Sequence, residues 1–116
     1  MSAVLRLDTA RSLYAAGPSG ANWSRWICWA TRLAVENALR EYWARRCPEL
    51  AAASMRGQLL ALRVHAGADT ARRARALWCA LSHAAHHHVY DLPPAVEDLR
   101  QWIAEAEYVL SALRPG

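Results

Sequence analysis

The 116 residues carry a net charge of +4, and their three cysteines form no Cys-x-x-Cys pair, which excludes a disulfide framework and a zinc ribbon. All fourteen basic residues are arginine, lysine and phenylalanine are absent, and alanine fills 25 positions, a composition that favours helix throughout. No apolar run approaches the ~20 residues of a membrane span and the N-terminus has no signal pattern, so the expectation is one cytoplasmic domain over residues 1–116, away from the membrane.

Ala3, Leu7, Ala10 and Tyr14 repeat at i, i+4, i+7 and i+11, which predicts a first helix over 3–16, stopped by Gly17-Pro18-Ser19-Gly20. Asn22 or Ser24 caps a second, longest helix that runs to Arg46, before Cys47-Pro48. It is apolar around most of its circumference, which predicts a central position in a bundle. Its charged strip holds Arg25, Arg32, Glu36 and Arg40, with Arg32–Glu36 and Glu36–Arg40 pairs expected at i, i+4. Trp29 and Trp43 share that strip, which predicts that the first helix or a second subunit covers them.

A third helix is expected from Glu49 or Ser54 to Ala66, with Met55, Leu59 and Leu62 in register and Gly67 as its stop. Asp69 or Thr70 caps a fourth that fades near Tyr90. The turn Asp91-Leu92-Pro93-Pro94 leads into a fifth over about 94–113, with Leu99, Trp102, Ile103, Ala106, Val109 and Leu110 on one stripe. Glu105 and Glu107 read as solvated surface. Short connections and the absence of strand signals give an all-α, antiparallel four- to five-helix bundle.

Charge is unevenly placed: residues 1–90 hold 12 Arg against 5 acids, and residues 91–116 hold 2 Arg against 5 acids. Such asymmetry suits an anionic partner or an oppositely charged protein surface, besides solvated helix faces. Within the basic part, Arg72 to Asp91 concentrates three arginines and four of the five histidines. At 3.6 residues per turn, Leu77, Trp78, Leu81, Ala85, Val89 and Leu92 fall on one face, with His88 among them. Arg72, Cys79, His83, His86, His87 and Tyr90 fall on the other.

That outer face supports three readings. In the first, His86 and His83 act as general acid and base on RNA, Arg75 stabilises phosphate charge, and Arg72, Arg73, His87 and Tyr90 bind the substrate; no metal or other cofactor is required. Arg75 and His83 are eight residues, or ~12 Å, apart along the helix axis, so one helix cannot close the site, whereas a two-fold homodimer can. In the second, Cys79, His83 and His86 or His87 bind a metal ion, with a fourth ligand lacking unless His65 or Asp91 approaches. In the third, the histidines and Tyr90 serve hydrogen bonding within the chain or to a partner subunit.

The order of elements, the segment Trp29-Ala-Thr-Arg-Leu-Ala-Val-Glu-Asn-Ala-Leu-Arg-Glu-Tyr-Trp43 and the segment Leu77-Trp-Cys-Ala-Leu-Ser-His-Ala-Ala-His-His-His-Val-Tyr90 with Asp91-Leu92-Pro93 resemble the HEPN superfamily, in particular its small actinobacterial members. The resemblance spans Arg11 to Leu113 and outside the fourth helix is mainly helical pattern. It implies an antiparallel bundle, commonly a homodimer, encoded in toxin–antitoxin, phage-defence or RNA-processing systems, where an antitoxin or other protein is a further partner. Active members are metal-independent endoribonucleases whose motif is an arginine, four to six residues and a histidine, facing its counterpart across the dimer cleft. His86, which follows the polar Ser82, matches the motif histidine best. The positions where the arginine belongs hold Cys79, Ala80 and Leu81, and seven residues separate Arg75 from His83. This departure favours a binding or assembly module over a ribonuclease.

Overall fold

The computed structural model describes residues 2–85 and 93–115, and all the regular structure among them is helical. Helix α1 (Ala3–Ala16) is capped by Ser2, whose hydroxyl accepts from the Leu5 N–H, and it buries the expected Ala3, Leu7 and Ala10. It ends at Gly17, where φ is +83°. The turn that follows is tied back by the Trp23 indole, which donates to the Leu13 carbonyl at 2.7 Å and stacks on Tyr14.

Helix α2 (Trp23–Arg46) contributes eleven buried residues, among them Ile27, Val35, Leu39, Tyr42 and Trp43, and every other helix packs against it. An element apolar around most of its surface loses the least when neighbours surround it, which explains its central place. The expected third helix is two: Pro48 starts a single turn, α3 (Pro48–Ala51), and Ser54 caps α4 (Met55–Ala66) by accepting from the Gly57 N–H at 3.1 Å. Gln58, fully buried, joins them, its amide donating to the carbonyls of Ala53 at 2.9 Å and Ala51 at 3.4 Å.

Gly67 alone separates α4 from α5 (Ala68–Ala85), with φ +94° and ψ 157°. That region of backbone space is closed to side-chain-bearing residues, so the sharp corner between the two helices depends on glycine. Helix α5 starts a residue ahead of the expected Asp69 or Thr70 cap, and helix α6 (Val96–Ala112) follows Pro93 and Pro94. The Asp98 carboxylate accepts from the Ala95 N–H at the start of α6. Arg45 donates to the Leu113 carbonyl at its end, 2.7 Å away.

One apolar core runs from Ala3 to Leu113, with Leu62 of α4, Leu81 of α5 and Leu99 of α6 among its most deeply buried members. The described residues form a bundle of six helices, one of them a single turn, and none of these helices is long and apolar enough to cross a membrane.

Three local expectations are corrected. Trp43 is fully buried, edge-on to Tyr42 and to His65 of α4, so its cover comes from within the chain and needs no second subunit. Glu36 pairs with Arg32 at 3.4 Å but not with Arg40; its other neighbour is the Trp78 indole N–H, which donates to Oε2 at 2.8 Å across the α2–α5 contact. Glu105 is only partly solvated, because Arg73 of α5 reaches across to it, whereas Glu107 stays exposed as expected and meets Arg11 of α1 at 3.1 Å.

Candidate functional site on the α4–α5 face

Helix α5 turns Ala71, Ala74, Leu77, Leu81 and Ala84 into the core, which leaves Arg72, Arg75, Cys79 and His83 exposed. The separation of faces anticipated from the 3.6-residue period therefore holds over this length. The corner at Gly67 brings α4 alongside. Between the two helices lies an open groove of about 740 Å³, whose walls include Leu59, Leu60, Arg63, Arg72, Arg75 and Cys79. Leu60 and Val64, one turn apart on α4, are 61% and 86% exposed.

The arginines of this region differ in how their charge is used. Arg72 pairs with Asp69, one turn back on the same helix. Arg73 points away from the groove to α6, where Nε donates to Glu105 Oε1 at 2.9 Å and the guanidinium carbon lies 3.4 Å above the Tyr108 ring. The bond between them holds the Glu105 carboxyl below its ordinary range and raises the Arg73 pKa. Arg63 and Arg75 make no ion pair or hydrogen bond among the described residues.

Of the residues assigned to chemistry from sequence, Arg72 and Arg75 line the groove and His83 stands exposed near the end of α5. Arg73 is committed to Glu105. His86, His87 and Tyr90 lie outside the described residues, as does His88. Cys79 and His83 are spaced to share an ion, but His65 stands against Trp43, and no group of three His, Cys, Asp or Glu residues gathers among the described residues. Sequence reading missed Arg63 and Leu60, because only the Gly67 corner reveals that this part of α4 borders the arginines of α5.

What this face offers chemically is fixed positive charge beside apolar surface. Planar guanidinium groups match phosphate oxygens with two parallel hydrogen bonds and retain their charge at any physiological pH. No protein-family model matches the chain, and neither a curated protein nor a solved structure matches it.

Proposed function

We propose that the protein is a HEPN-like module that works as a homodimer and binds RNA through its α4–α5 face. The observation that carries this reading is the pair Arg63 and Arg75, two unneutralised guanidinium groups projecting from different helices over one groove. An RNA backbone supplies the missing counter-charges, and the apolar walls at Leu59 and Leu60 accept sugar and base surface. The resemblance noted in the sequence supports a dimer whose protomers share an RNA cleft. Val64, 86% exposed and outside the groove lining, supplies apolar surface for the contact between protomers. The displaced arginine favours binding over cleavage, and the same resemblance favours a cytoplasmic role in a bacterial conflict or regulatory system.

Untagged protein mixed with labelled mixed-sequence RNA in excess EDTA tests the reading. The RNA should be bound and remain intact, and Arg63→Gln with Arg75→Gln should weaken binding at least tenfold. Equal binding by that double variant overturns the reading. Cleavage in EDTA that disappears in His86→Ala or His83→Ala would replace it with a metal-independent endoribonuclease.

A further inference from the structure

Six tryptophans are present, and they are treated very differently by the fold. Trp43 is fully buried, Trp23 is 7% exposed, and Trp78 and Trp102 are partly buried against the core. Trp26 and Trp29, in contrast, leave 55% and 50% of their surfaces in solvent. Their i, i+3 spacing places the two indoles side by side on α2. With Asn22 and Arg25 they line a concavity of about 380 Å³, and none of these four residues is acidic. From α1, the Arg6 guanidinium lies 5.9 Å from the Trp29 ring centroid, and its Nε is buried without a hydrogen-bond partner. Neither Arg6 nor Arg25 has a carboxylate partner among the described residues.

We propose that Trp26 and Trp29, flanked by Arg6 and Arg25, form a stacking shelf for unpaired bases of single-stranded RNA. The inference rests on the RNA-binding reading and adds to it a second contact that distinguishes single strands from duplex. Indole faces accept any base, since every base has a π-face, and the arginines follow the phosphates that connect successive bases. A duplex keeps its base faces stacked on one another and cannot use the shelf. A second copy of the chain is disfavoured by charge. An isologous contact centred here sets Arg25 against its own counterpart, whereas a polyanion neutralises Arg6 and Arg25 together.

The test compares a labelled single-stranded A12 RNA with a 12-base-pair RNA duplex, by fluorescence anisotropy and by quenching of tryptophan emission. The variants are Trp26→Ala with Trp29→Ala and Trp26→Phe with Trp29→Phe, each checked for helix content. The alanine pair should lose at least about tenfold in affinity for A12 and keep duplex affinity within about twofold, while the phenylalanine pair retains most of the A12 affinity. Unchanged A12 affinity in the alanine pair overturns the shelf and leaves the α4–α5 reading standing. Equal losses on A12 and duplex overturn it as well, since stacking would not be the cause. Failure of the wild-type protein to bind either RNA overturns both proposals. A fall in sedimenting mass of the alanine pair with A12 affinity intact would reassign the shelf to a protein interface and overturn the proposal.

Discussion

Arg73 on α5 donates through Nε to Oε1 of Glu105 on α6 at 2.9 Å, and this bond pairs the central arginine of the Arg72–Arg75 cluster with a carboxylate of another helix. The guanidinium also covers the Tyr108 ring, so a residue that reads as part of a basic patch is a strut between two helices. Its neighbours are left to different fates, Arg72 neutralised within its own turn and Arg75 without a partner among the described residues.

The pH dependence of that strut follows from its sign. The Arg73 hydrogen bond depresses the folded-state pKa of Glu105 below the ordinary 4.5, so the carboxylate contributes stability in full above that value. The contribution is lost as pH falls through the depressed folded value. Urea denaturation should therefore show wild type more stable than Glu105→Gln at pH 7, with the gap shrinking progressively below about pH 4.5. Parallel stability curves for the two proteins would contradict this account of Arg73.

Gly67 should be the most sensitive surface position near the groove. An added Cβ meets no atom within 4 Å, so Gly67→Ala introduces no clash and its whole cost is the backbone conformation. A side chain at φ +94° and ψ 157° costs about 1–3 kcal/mol. Thermal or urea unfolding should register a loss of that size. A loss under about 0.5 kcal/mol would show that the corner can relax, and with it the register of α4 against α5.

The three cysteines should react in a fixed order. Cys79 is exposed. Cys47 is partly covered and its thiol donates to Glu49 Oε2 at 3.2 Å, a bond that raises its pKa. Cys28 is 1% exposed, and burial pushes its thiol up to about 11. With a disulfide reagent at pH 8, Cys79 should modify first and Cys47 more slowly, and Cys28 should wait for denaturant, since the thiolate is the reactive form. Rapid native modification of all three would contradict the packing of α2.

Much of the bundle was legible because its signals are local. The apolar stripes of α1 and α6, the cap at Ser54 and the stops at Gly17 and Gly67 each depend on a few neighbouring residues, and all are found close to their expected positions. What escaped the sequence depends on which helices become neighbours. Trp43 and Trp29 lie on the same strip of α2, yet one is sealed beside His65 and the other is half in solvent. The Glu36–Trp78 bond joins residues 42 apart in sequence, and Gln58 finds its role only once α3 separates from α4. At the candidate site, the outward placement of Arg72, Cys79 and His83 followed from helical period alone. Arg63 did not, because no period on α5 reveals its partner across the groove.

The central claim is that Arg63 and Arg75 provide counter-charge to an RNA backbone, and a salt titration measures that directly. Each arginine on a phosphate of single-stranded RNA contributes about 0.7 to the slope of log affinity against log salt. Wild-type protein and Arg63→Gln with Arg75→Gln should therefore differ in slope by about 1.4, with the variant shallower. Identical slopes would show that neither arginine meets phosphate and would contradict the account.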